Sequence, residues 1–216
     1  AAHSVYACYA VAYVPIAAIA LASFEIASWL PTVFLFCAKP WLDRTILFVL
    51  SRAAFGQPTT VRQLWESRGQ VWGGQLLLPW TWRRLSPWRS FTQPVYQLEG
   101  LPFSRIRRRV KQVRRRKRGT ALLMMMAFAM AETCLGLTVL SLLVWFAPTE
   151  VAGDLLEVLF DPTSDLFEAS MAVAYAMVIA FLEPFYVAAG FAMYLNRRAE
   201  LEAWDVEQEL RRAFAS

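Results

Sequence analysis

The chain has one histidine among 216 residues, His3, and it stands near the first residue. A histidine-based metal centre or a Ser-His-Asp triad therefore has almost nothing to be built from. Cysteine is scarce too: Cys8, Cys37 and Cys134 are odd in number, lie in apolar surroundings and lack ligand-like spacing. That argues against a disulfide framework and against a zinc site. G-x-S-x-G, H-E-x-x-H, the P-loop, the dinucleotide fingerprint and C-x-x-C are all missing. No nucleophile–base pair, cofactor or metal is called for, and the chain does not read as an enzyme. Gly69 and Gly73 have GxxxG spacing, but beside Arg68 and Gln70 they lie outside any apolar span and mark no helix-pairing face.

The most telling absence is of positive charge over one long region. Ten of the 22 Lys and Arg residues lie between Arg105 and Arg118, and the next is Arg197. Between them run two apolar stretches, Thr120–Trp145 and Phe167–Leu195, joined by a segment carrying Glu150, Asp154, Glu157, Asp161 and Asp165. Basic flank, apolar span, acidic loop, apolar span, basic flank is the pattern of a helical hairpin in a membrane with cytoplasmic basic ends. Composition agrees, because 57% hydrophobic residues are too many for an ordinary soluble domain of this length. The six tryptophans Trp41, Trp65, Trp72, Trp80, Trp82 and Trp88 precede the basic run, as expected where rings sit in the headgroup layer.

The chain opens at Ala1 with no methionine and no basic n-region, and we expect residues ahead of it. Val5–Ala27 is too long for a signal-peptide core and reads as a first transmembrane helix. Two readings of the next stretch compete. Trp29–Ser51 is one crossing kinked at Pro40, or Trp29–Ala38 is a short span and Pro40–Phe55 an interfacial helix. Arithmetic favours the first, since Trp29–Ala38 covers only about half of a bilayer core at roughly 1.5 Å per residue.

Residues 56–118 read as a cytoplasmic surface layer. Val61, Leu64, Trp65 and Trp72 fit one helical face, and Pro58, Pro79, Pro87 and Pro94 then punctuate an irregular Trp-rich segment along the membrane surface. Leu76–Trp80 is a possible re-entrant piece, too short to span. Phe103, Ile106, Val110 and Val113 recur at alternating spacings of three and four, making an apolar stripe on a basic helix. Such a helix lies on an anionic membrane face. The candidate lipid contacts are Arg105, Arg107, Arg108, Arg109, Lys111, Arg114, Arg115, Arg116, Lys117 and Arg118. Phe103 is the only aromatic within the run, so nucleic acid is not the expected partner. After the second long span, residues 197–216 read as a separate cytoplasmic helix with a Val206, Leu210, Phe214 stripe and a Glu207–Arg211 pair. Val151, Leu155 and Leu159 suggest a small helix in the acidic outer loop.

An ionisable group in mid-membrane costs several kcal/mol and needs a partner. Glu132 and Glu183 each lie about twelve residues from the cytoplasmic ends of antiparallel spans, which places both roughly 18 Å deep. Ala129 and Gly136 flank Glu132 on its helix face, and Ala172, Ala176 and Ala180 lead to Glu183 on its own, so both point into a bundle. On a kinked second crossing, Lys39, Asp43 and Arg44 reach a similar depth. Lys39 and Asp43 share a face at i,i+4, leaving Arg44 for a glutamate. The expected intramembrane network is thus Lys39 and Arg44 against Asp43, Glu132 and Glu183, with one excess negative charge that a proton removes. It either fixes helix register or forms a proton or cation path.

Lys39–Gly56 (KPWLDRTILFVLSRAAFG), Thr81–Gly100 (TWRRLSPWRSFTQPVYQLEG) and Glu183–Glu209 (EPFYVAAGFAMYLNRRAELEAWDVEQE) carry a resemblance. They resemble an uncharacterised family of proteobacterial inner-membrane proteins, often encoded near a transglutaminase-like protein, a MoxR-type ATPase and von Willebrand factor A-domain proteins. The resemblance implies a bacterial inner membrane and a multi-protein assembly, and it transfers no catalytic residue. The expected fold is an all-α polytopic membrane bundle of about four transmembrane helices with cytoplasmic interfacial amphipathic helices. It divides into an N-terminal hairpin (1–55), a surface segment (56–118), a second hairpin (119–196) and the tail helix (197–216), with both termini cytoplasmic. The expected function is a non-enzymatic membrane subunit associating with other membrane proteins or with itself. The alternative is a small transporter or ion-conducting protein using Glu132 and Glu183.

Overall fold

A computed structural model describes residues 2–72, 86–148 and 164–214, together with positions 153, 156–157 and 161. Among the described residues there is helix and no strand. In chain order come α1 (Ala2–Ala22), a 3-10 turn (Ser23–Glu25), α2 (Leu30–Ala54), α3 (Val61–Glu66) and α4 (Arg68–Trp72). They are followed by α5 (Arg89–Leu98), α6 (Phe103–Arg114), α7 (Arg118–Trp145) and α8 (Asp165–Phe214). The stripe Val151, Leu155, Leu159 and the segment Leu76–Trp80 lie outside the described residues.

Among the described residues, three stretches are long and apolar enough to cross a membrane: His3–Glu25, Arg118–Leu142 and Asp165–Ala203. These correspond to α1, α7 and the first part of α8. α2 is 25 residues long and runs unbroken through Pro40, but Lys39, Asp43 and Arg44 keep its middle too charged to count with the others by composition.

The core forms where α1, α2, α5 and α8 meet. Leu35, Leu42, Ile46 and Val49 of α2 pack with Tyr9, Phe91, Val95 and Ile179, all fully or almost fully buried. α1 is pinned to α8 by tyrosines one helical turn apart. The Tyr6, Tyr9 and Tyr13 hydroxyls donate to the carbonyls of Phe181, Ile179 and Ala176 at 3.2, 3.0 and 2.5 Å. Pro184 has no N–H for the Ala180 carbonyl four residues back, so two of these bonds flank the turn that the proline loosens.

α8 is a single helix of 50 residues, which corrects the expectation of a separate helix beginning at Arg197. Nothing in NRRAELEA stops a helix, since it lacks Gly and Pro and is rich in strong helix formers. Arg197–Glu200 (2.8 Å) and Arg198–Glu202 (2.5 Å) brace it at i,i+3 and i,i+4. The side chains of the Val206, Leu210, Phe214 stripe and of the Glu207–Arg211 pair lie outside the described residues.

The segment before the basic run also differs from expectation. Thr60 and Gln63 close a capping box on α3, and Ser67 separates α3 from α4. The break rotates the expected face: Leu64 and Val71 are buried, whereas Val61 and Trp65 are exposed. Farther on, α5 is no surface helix. It is sandwiched against α8 and α2 with Phe91 and Val95 wholly buried. Its contacts follow α8 in register, with Arg89 at Glu183, Ser90 at Gly190 and Glu99 at Tyr194. Gly190 is what permits the approach, because a Cβ there would stand 2.5 Å from Ser90 Cβ and 2.6 Å from its carbonyl carbon.

Gly190→Ala is therefore expected to push α5 away from α8 and to cost about 1–3 kcal/mol, the usual range for overpacking. Thermal unfolding of the detergent-solubilised protein reads the loss. Adding Ser90→Gly should not restore stability, since the clash with the Ser90 backbone remains.

Candidate functional site

Five ionisable side chains from four helices meet where α2, α5, α7 and α8 converge. Lys39 Nζ donates to both oxygens of Glu132, at 2.8 and 2.9 Å, and stands 3.6 Å from Glu183 Oε2. The Tyr175 ring lies beneath it, 5.2 Å from its centroid. Arg89 bridges the other two acids. Its Nη2 donates to Glu183 Oε1 at 3.0 Å, and its Nε lies 2.9 Å from Asp43 Oδ2, off the line of a hydrogen bond. Burial works against the Arg89 charge, yet Asp43 and Glu183 outweigh it and hold the guanidinium above its ordinary range.

Lys39, Asp43 and Glu183 are buried, while Glu132 keeps 29% of its side chain exposed. That exposure opens onto two cavities. A cleft of about 220 Å³ is lined by Phe36, Lys39, Arg89, Phe128, Glu183 and Tyr186 among others, and Glu132 forms part of its wall. A groove of about 370 Å³ between α7 and α8 runs from Glu132 past Gly136, Leu140 and Tyr175. Among the described residues, no group of three or more His, Cys, Asp or Glu side chains is placed to hold a metal ion.

Four of the five residues named from the sequence thus come together: Lys39, Asp43, Glu132 and Glu183. Arg44 does not join them. It follows Asp43 on α2, about 100° round the helix, and makes no ion pair among the described residues, while its backbone carbonyl accepts a bond from Gln97 Nε2 at 2.9 Å. The cation in its place is Arg89. Sequence reading had put Arg89 on a surface segment, because prolines and tryptophans crowd around it. The signal that pointed to it was the surplus acid: three carboxylates in apolar spans demand another cation, and Arg89 precedes the apolar residues of a short amphipathic helix.

The basic run behaves differently from a helix floating on lipid. Ile106, Val110 and Val113 are buried against the rest of the protein, so the stripe is spent on the protein; the Phe103 side chain lies outside the described residues. Several of the ten basic residues are engaged within the chain, among them Arg109 with Glu99 (2.9 Å), Lys117 with Glu200 (2.7 Å), and Arg114 over the Trp88 ring at 3.7 Å. Arg105, Arg107, Arg108, Lys111, Arg115, Arg116 and Arg118 have exposed side chains. Arg116 sits at φ +68, in the tight turn that joins α6 to α7.

Compared with known proteins, the chain matches no protein-family model, no curated protein and no solved structure.

Removing one partner of a buried ion pair strands the other charge, at a typical cost of about 3–5 kcal/mol. Arg89→Gln should show a loss of that order in detergent unfolding, because it leaves both Asp43 and Glu183 without their shared cation. Arg44→Gln, made in parallel, should cost far less. The reverse ranking would mean that Arg44 balances the acids.

Proposed function

We propose that this protein is a non-enzymatic integral membrane subunit that associates with other membrane proteins, and that its charged cluster locks the helices it presents to them. The observation that carries the proposal is the contrast between cluster and periphery. Lys39, Asp43, Arg89, Glu132 and Glu183 pair by charge and tie α2, α5, α7 and α8 together, which suits a register lock. None of the apolar window of α7 is buried by the rest of the chain. Its open side carries Ala127, Cys134, Thr138 and Ser141, small residues of the kind that let a second helix come close.

In this reading α2 is a fourth crossing, its charges tolerated because their partners come from the same chain. The basic residues lie on the cytoplasmic side of a bacterial inner membrane, by the positive-inside bias. Exposed arginines of α6 and of the turn before α7 meet anionic headgroups through charge alone, since the apolar stripe of α6 is already packed. The family resemblance of the three quoted segments supports the same setting.

A second reading, a small proton- or ion-conducting protein, is favoured by one observation: both cavities reach Glu132. Purification from the native host in mild detergent separates the two. A membrane protein recovered at fixed stoichiometry with this chain is expected for the subunit. A single species that dissipates an imposed ion gradient in vesicles would instead support conduction.

A further inference from the structure

Two cavities meet at one point of the charged cluster. Ala129 and Glu132 form part of the wall of both the cleft of about 220 Å³ and the groove of about 370 Å³. Joined there, they offer a space within the roughly 300–1,000 Å³ typical of small-molecule sites. Their chemistry differs from end to end. The groove, between α7 and α8, is walled mostly by apolar groups such as Leu137, Leu140, Met171 and Val178. The cleft sets the Phe36, Phe128 and Tyr186 rings around Lys39, Arg89 and Ser86. A molecule that fills both is an amphiphile, with a tail in the groove and a head in the cleft.

The cleft wall also fixes the charge of that head. Lys39 and Arg89 are paired there with Glu132 and Glu183. An anionic head would stand against the two carboxylates, and a cationic head against the two cations. Poorly hydrated surroundings raise the cost of either. An uncharged head meets neither penalty. Hydrogen-bond donors remain for it, since a guanidinium has five N–H groups and the hydrogen bonds of Arg89 among the described residues use Nη2 alone, toward Glu183. The Ser86 and Tyr186 hydroxyls stand in the same wall. Such donors call for a head that accepts. The rings, with Phe128 edge-on to Tyr186 at 5.4 Å, suit a planar carbonyl group between them.

We infer that the joined cavities bind a neutral lipid whose head carries carbonyl oxygens, with its chain between α7 and α8. A quinone with an apolar tail and an acylglycerol ester share that chemistry. The inference rests on the reading of these helices as membrane-spanning, because a ligand of this kind arrives through the bilayer.

The test uses the full-length protein in phosphatidylcholine nanodiscs with two photoactivatable probes, a benzoquinone carrying a decyl chain and a monoacylglycerol. At least one should label the protein, and labelling by one alone identifies the source. Peptide mapping should place the head-borne label at Phe36, Met125, Phe128 or Leu182, in the cleft wall. The same compound without its photoreactive group should compete. A fatty acid and an alkylammonium of equal chain length should compete at least about tenfold less well, as burying an unpaired charge requires. Ala129→Phe, which fills the junction, should abolish labelling. Gly136→Leu should weaken the decyl compound but not the same quinone without its chain, since a Cβ at Gly136 meets open space in the groove. Thermal unfolding establishes that each variant is folded; where one is not, competition on the parent protein decides. Labelling by neither probe, labelling spread over the exposed Val11, Val14 and Ile19 of α1, or equal competition by the charged compounds overturns the inference. Release of the protein from native membranes by alkaline carbonate would instead overturn the membrane reading, before any probe is added.

Discussion

The structure depends on one constraint: the acids Asp43, Glu132 and Glu183, held among apolar helices, must meet counter-charges from other helices of the chain. Leaving such a charge unpaired costs several kcal/mol, more than most single packing contacts return. Here the constraint acts on α2, whose Lys39 and Asp43 are 7% and 1% exposed. Their partners are on three other helices, so the pairs fix rotation and axial position of α2, α5, α7 and α8 together. Apolar contacts alone would leave those helices freer to slide, because leucine and alanine surfaces match at many registers.

Two devices support that arrangement. Gly190 lets α5 lie directly on α8 and so delivers Arg89 to Glu183. Farther along the same contact, Glu99 accepts from Tyr194 at 2.8 Å and pairs with Arg109 at 2.9 Å, tying α6 to the end of α5 and to α8. On the opposite side, the α1 tyrosines donate to α8 carbonyls on either side of the turn weakened by Pro184. These bonds brace α8 on both sides of the turn that lacks the Pro184 N–H.

Much of this was legible from sequence, for identifiable reasons. α1, α7 and the first part of α8 are long apolar runs with few charges, a signal that needs no tertiary information. Glu132 and Glu183 could be placed at one depth because helical rise is constant, and Lys39 and Asp43 fell on one face by their spacing. Arg44 was misassigned because sequence order gives proximity along a helix but not which side chain turns inward. Arg89 was missed because its helix is short, is bounded by prolines, and is buried by tertiary packing against α8 that local pattern does not encode. The apolar stripe of α6 was real, but amphipathicity cannot distinguish a lipid surface from the flank of the same protein. The end of the α8 span was set where the apolar run stops, although a change of solvent does not end a helix.

The central claim is that Arg89, carried in on α5, is the cation that balances the buried acids. A double-mutant cycle measures it directly, with Arg89→Gln and Glu183→Gln made singly and together and unfolding followed in detergent. The account requires a coupling within the range of about 0.5–3 kcal/mol seen for contacting residues, and almost none in the matching cycle for Arg44 and Glu183. Additive effects for Arg89 and Glu183, with strong coupling between Arg44 and Glu183, would contradict it.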